Sequence, residues 1–272
     1  MLGIALPRCR ATSAPRAMTA LVLLAAGAAI DGAAGQTCTV SGSSVTLTSG
    51  SCAIALNTTL NGSPAVHATT SAQITTNNVT INPFNGGSVG GLAETLGTIT
   101  FSAGSSINGN WSTAASAQTG GQIIFQGGSA INPPFGGGVT ALLANGVGAG
   151  GQPSQIIATG LAVNMNGAGG EVAAKATGGG IITLNQGTTI SFPAGGGGNI
   201  GLLATGAGSQ IVANGLTESM VGVGGGDVGV NADSSGKVTL TNTAVSIVGA
   251  GGGEAGLKAT NAGSIDTSGG SR

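Results

Sequence analysis

Tyrosine is absent from this chain, and its 272 residues share one tryptophan and five phenylalanines. A wide globular core is normally filled by bulky aromatics, so their scarcity excludes that design and leaves Ala, Val, Ile and Leu for a narrow core. Charge is as sparse: 6% of residues are Asp, Glu, Lys or Arg, and the formal net charge is −1. Together with a mean hydropathy of +0.38, this excludes a disordered polyelectrolyte. The single histidine, His67, and the lack of any Cys-x-x-Cys pair leave a zinc-type centre without ligands. No apolar run reaches the roughly 20 residues that a membrane-spanning helix needs.

The N-terminus reads as an export signal over residues 1–35. Arg8, Arg10 and Arg16 precede an uncharged run from Ala17 to Ile30, and Ala33-Ala34-Gly35 offers a cleavage site before Gln36. Without that leader, four basic residues face seven acidic ones, a net charge of −3. The positive footprint that nucleic acid requires is therefore missing. Cys9 falls in the leader, and Cys38 and Cys52 remain as an even pair in an exported chain. They are expected to form a disulfide, stapling a cap segment over 36–62, with two free thiols as the alternative.

What the chain has in quantity is glycine, 55 residues, set in a repeated phrase. Gly201-Leu-Leu-Ala-Thr-Gly206 returns as Gly229-Val-Asn-Ala-Asp-Ser234 and Gly256-Leu-Lys-Ala-Thr-Asn261. The central alanines are Ala144, Ala176, Ala204, Ala232 and Ala259, at steps of 32, 28, 28 and 27. Weaker copies place Ala68, Ala93 and Ala115 upstream. A fixed period in this range indicates one structural unit copied and stacked.

Each copy divides into three short strands. In one they are Lys237–Thr241, Ala244–Val248 and Ala255–Ala259; in another, Ile181–Asn185, Thr189–Phe192 and Ile200–Ala204. Val238 and Leu240, then Val245 and Ile247, alternate with Thr and Ser, the period of a strand with one buried face. Glycine clusters follow the second strand: Gly86-Gly87, Gly136 to Gly138, Gly167 with Gly169-Gly170, Gly195 to Gly198, Gly224 to Gly226 and Gly251 to Gly253. They are expected to turn the chain into the third strand. They lead into no helix and carry no Lys-Ser/Thr pair, so they are not phosphate loops. The fold class is all-β: a right-handed parallel β-helix, or β-solenoid, of seven or eight coils over 63–272, with about three strands per coil of roughly 27 residues and the last coil incomplete.

An export signal, a Cys-stapled segment and Gly/Ser/Thr/Asn-rich coils resemble the passenger region of bacterial type V, pertactin-like autotransporters. The phrases that carry the resemblance are Gly201–Gly206, Ile211-Val-Ala-Asn-Gly-Leu216 and Val238-Thr-Leu-Thr-Asn242. The resemblance implies a surface-exposed or secreted β-helix passed through an outer-membrane barrel at the chain's own C-terminus. It implies outer-membrane assembly machinery as a partner if the protein is full-length, and an adhesive, virulence-associated role. The chain stops at Arg272 before any barrel, so a fragment or decayed gene is expected, periplasmic if it truly ends there.

Candidate chemistry is thin. Glu171, Asn199, Asp227 and Glu254 each lie five residues before an anchor alanine and are expected to stack at one corner. That column is read as a solvated rim, with a bridging Ca²⁺ as the sharper alternative. His67 has no Ser, Asp or Cys partner in view, and Trp111 is read as packing rather than a contact residue. The pairs Thr46/Thr48, Thr98/Thr100 and Thr239/Thr241 do not recur in consecutive copies. No catalytic residue and no cofactor is expected. The reading is a non-enzymatic solenoid that contacts host cell-surface or matrix proteins or glycans; a carbohydrate-active β-helix is the alternative.

Overall fold

The computed structural model describes residues 36–82, 89–109, 111–133, 137–165, 169–193, 196–221, 224–249 and 251–272. The proposed leader, with Cys9, and Gly86, Gly87, Gly136, Gly167 and Gly195 lie outside the described residues.

The chain winds as a parallel β-solenoid with three faces. Face A holds ten strands, from Gln36–Thr37 to Ser264–Ser268. Face B holds eight, from Thr59–Leu60 to Ala244–Val248, and face C nine, from Val45–Leu47 to Ala255–Ala259. Every strand pairs in parallel with its equivalent one coil away, so backbone groups left open by one rung are closed by the next. The stapled segment 36–62 itself supplies rungs to all three faces.

β-Branched and small residues build these strands because they fit a pleated, half-buried surface. On face A the inward ladder is Ile74, Ile99, Ile123, Ile156, Ile182, Ile211 and Val238. Each such side chain contributes about 1.5–3 kcal/mol on burial, but only when a neighbouring rung covers it. The described aromatics also sit inside: Phe101, Phe125, Phe192 and Trp111 are buried, and Phe101 and Phe125 stack with ring centroids 4.8 Å apart.

The anchor alanines form one ladder on face C, Ala68, Ala93, Ala117, Ala144, Ala176, Ala204, Ala232 and Ala259. One expectation is corrected here: the anchor of its coil is Ala117, and Ala115 pairs instead with Gly91 and Leu142. The 32-residue step from Ala144 to Ala176 contains an extra loop after Asn145, with a short 3₁₀ turn at Ala149–Gly151.

The corners obey simple rules. Between faces A and B, one residue per coil takes positive φ, and it is always Gly or Asn, as at Asn78 (49°), Gly187 (82°) and Asn242 (49°); these tolerate the left-handed region best. Between C and A, Gly97, Gly121, Gly180, Gly236 and Gly263 lie against the carbonyls of Ala68, Ala93, Ala144, Ala204 and Ala232 one coil below, where a Cβ has no room.

Candidate functional site

The polar column is the feature most changed by the structure. Glu171, Asn199 and Asp227 are each 0% exposed, and Glu254 is partly buried. The solvated-rim expectation is therefore corrected: these side chains point inward. A glycine of positive φ precedes each, Gly170 (70°), Gly198 (82°), Gly226 (85°) and Gly253 (89°). At that corner a backbone N–H is also left facing the interior, and an unpaired buried donor is costly. The rung above supplies the acceptor. The N–H of Glu171 donates to Oδ1 of Asn199 at 3.1 Å, and the N–H of Asn199 donates to Oδ1 of Asp227 at 2.8 Å. Asn199 Nδ2 donates in turn to the carbonyl of Gly196 at 2.6 Å. The column is thus a chain of backbone caps. Among the described residues, no group of three or more His, Cys, Asp or Glu side chains is placed to share a metal ion.

Cys38 and Cys52 form a disulfide. Cys52 lies in the second rung of face A, below Ile74, and Cys38 directly follows the first rung, Gln36–Thr37. Trp111 is 1% exposed and fills the corner between faces B and C.

His67 has an acidic partner that the sequence did not bring into view, Glu94. Its Nε2 lies 2.9 Å from Oε1 of Glu94. His67 stands one place before its anchor and Glu94 one place after the next, so stacking brings together residues 27 apart in the chain. The pair rests half-buried on the outer side of face C, on sheet rather than in a cleft. Two hollows border the first and the last described coils. One of about 340 Å³ is bordered by Ile247, Gly249, Glu254 and Gly256, and one of about 210 Å³ lies beside Cys38 and Cys52.

The outer surfaces carry a pattern that a search for Thr-x-Thr misses. Thr75, Thr100, Ile124, Ile157, Thr183, Val212 and Thr239 stack in seven consecutive rungs at the centre of face A. Thr, Val and Ile share a branched shape, so the column is uniform in form while mixed in polarity. Gln73, Thr98, Gln122, Gln155, Ile181 and Gln210 flank it, and Gln122 donates to Gln155 at 3.2 Å. Among the described strands of face A no charge occurs before Lys237, which pairs with Asp266 at 2.8 Å. Face B shows an asparagine ladder, Asn164 donating to Asn132 and Asn132 to Asn108, each at 2.8 Å. Apart from Lys237 and Asp266, the outward titratable side chains of the described strands lie on face C, at His67, Glu94, Lys175, Asp233 and Lys258.

Sequence reasoning also missed Glu218, which is 1% exposed inside the solenoid. The available signal was its place two residues before inward Met220 in a strand of period 2. Compared with known proteins, the chain matches no family model, no curated protein and no solved structure.

Proposed function

We infer that this chain is an exported, non-catalytic β-solenoid that presents a long flat surface for adhesion to cell-surface or matrix proteins or glycans. The observation that carries this reading is the uncharged seven-rung column at the centre of face A. At about 4.8 Å per rung the column extends roughly 30 Å, a length suited to many weak contacts rather than one pocket. Its groups are hydroxyls, amides and branched aliphatics, which can accept, donate and pack. Because each rung is held by its neighbours, the surface is ordered before any partner arrives, which limits the entropy lost on binding. The likeness of the coils to autotransporter passengers supports a place at the outer membrane or outside the cell.

The purified chain should be tested on arrays of neutral glycans, charged glycans and matrix proteins. Binding through face A would be nearly insensitive to salt, since no ion pairs are screened. It would be lost in Ile124→Lys/Ile157→Lys while the circular dichroism spectrum stays unchanged. Absence of binding to every array, or binding that persists in the double variant, would remove the support for this reading.

A further inference from the structure

Glu218 occupies a position that the rest of the solenoid reserves for an aliphatic side chain. In register along face B stand Leu60, Ile81, Ile107, Ile131, Val163, Ile190, then Glu218, then Val245. The carboxyl reaches across the core to face C. There its Oε1 lies against Gly201, in space that a Cβ would fill, and within 3.4 Å of where a Cβ of Gly229 would be. Coils below carry Ala114, Ala141 and Ala173 at the place of Gly201, so the acid and its opposing glycines are matched.

Nothing nearby neutralises a charge. Neither carboxyl oxygen of Glu218 has a hydrogen-bond partner. On the strands around it, face B contributes Ile190 and Val245, face A Ile211 and Val238, and face C Gly201 and Gly229, none of them titratable. The titratable side chains at the adjoining corner, Asp227 and Glu254, are acids. Lys175, Asp233 and Lys258 stand on the outer side of face C, the Lys237–Asp266 pair is exposed on face A, and exposed Arg272, whose carbonyl accepts the Val245 N–H at 2.8 Å, lies one rung beyond Val245. Among the described residues no Lys, Arg or His is buried. An ionised carboxylate in an apolar interior without a cation is strongly disfavoured, and such a group takes up a proton instead.

We propose that the described strands around Glu218, Ile200–Thr205, Gln210–Asn214, Thr217–Val221, Val228–Asp233, Lys237–Thr241 and Ala244–Val248, form an acid-locked part of the solenoid, closed while this carboxyl carries a proton and opened locally when it is lost. Burial pushes the Glu218 carboxyl well above the ordinary carboxylate range. The opened form has the lower pKa, so it releases the proton first as pH rises. Closure is therefore complete at pH values below the ordinary glutamate range and weakens as pH climbs toward the raised value of the closed form. Because each coil touches only its neighbours, the opening need not spread to distant rungs. The device is independent of any adhesive partner.

Hydrogen–deuterium exchange of the whole chain from about pH 5 to about pH 8, corrected for intrinsic exchange, tests this directly. Amides of Ile211 to Ala213 and Met220 should lose up to about tenfold protection per pH unit, while those of Ile99 to Phe101 and Ile123 to Phe125 hold theirs. Glu218→Gln keeps the shape without the proton and should abolish the pH dependence; Glu218→Ile, which restores the ladder, should do the same. Constant protection near Met220 in the unmodified chain across the range, or the same slope in both variants, would overturn the proposal.

Discussion

Oδ1 of Asp227 accepts the backbone N–H of Asn199 at 2.8 Å, one rung below it at the corner between faces B and C. The contact gives a fully buried side-chain oxygen a role at this position, the role that the amide oxygen of Asn199 fills one rung below. Truncation in Asp227→Ala would leave that N–H without an acceptor in the interior, and the expected loss of stability is about 1–3 kcal/mol. Asp227→Asn retains an oxygen at the same place and should lose much less. Thermal melts of the two variants check the difference; equal losses would mean that the cap is not what the carboxylate provides.

A second expectation concerns the corner between faces C and A. Gly180 lies directly over the carbonyl of Ala144, while a Cβ at Gly252 would meet nothing within 4 Å. Gly180→Ala forces two rungs apart and should destabilise by about 1–3 kcal/mol or more. Gly252→Ala should stay within about 0.5 kcal/mol of the parent. Denaturant midpoints of the pair compare the two corners. Ser154 and Ser209 show the natural alternative, since they hold the place of Gly180 in the coils whose corners carry extra residues.

The strands were legible wherever aliphatic and hydroxyl residues alternate. Lys237–Thr241, Ala244–Val248 and Ala255–Ala259 are strands with the bounds that alternation predicts. The anchor of the coil at Thr113–Gln118 was not, because Thr-Ala-Ala-Ser-Ala-Gln offers three alanines and period 2 cannot choose between Ala115 and Ala117. The polar column was legible as a column but not in its direction. Charge suggests solvent, whereas the deciding factor is an inward N–H that exists only once the corner is folded. The His67–Glu94 contact depends on adjacent rungs and is invisible to any local reading. Glu218 breaks the hydrophobic pattern, so pattern reading passes over it; alignment with Ile190 on the neighbouring rung exposes it.

The Cys38–Cys52 pairing predicts a local effect of reduction. The bond closes a short loop, separation 14, and such a loop contributes about 3 kcal/mol in the chain-entropy model. In a solenoid that contribution is confined to nearby coils. Dithiothreitol, or Cys38→Ser/Cys52→Ser, should therefore raise exchange at Cys52 to Ile54 and Ile74 while leaving Val238 and Leu240 protected. Uniform loss of protection along the molecule would show instead that the first rungs nucleate the whole stack.

Asp233 predicts an acid limb opposite in sign to the effect of Glu218. Its carboxylate accepts from Thr260 Oγ1 at 2.8 Å, Asn261 Nδ2 at 2.7 Å and Ser234 Oγ at 3.0 Å. These hydrogen bonds, that of Thr260 foremost, hold its pKa below the ordinary aspartate value. A depressed folded pKa means that the stabilisation is present above the unfolded value and lost as pH falls through the folded one. The contact joins the Val228–Asp233 rung to the turn after Ala255–Ala259, so acid should first loosen that last corner. An NMR titration of the Asp233 carboxyl should give a midpoint below that of a free aspartate, and Thr260→Val should move it upward. A midpoint unmoved in Thr260→Val would assign the depression to another group. The two acids, one half-exposed and hydrogen-bonded, one buried and unpartnered, then bracket the pH at which these coils are most firmly closed.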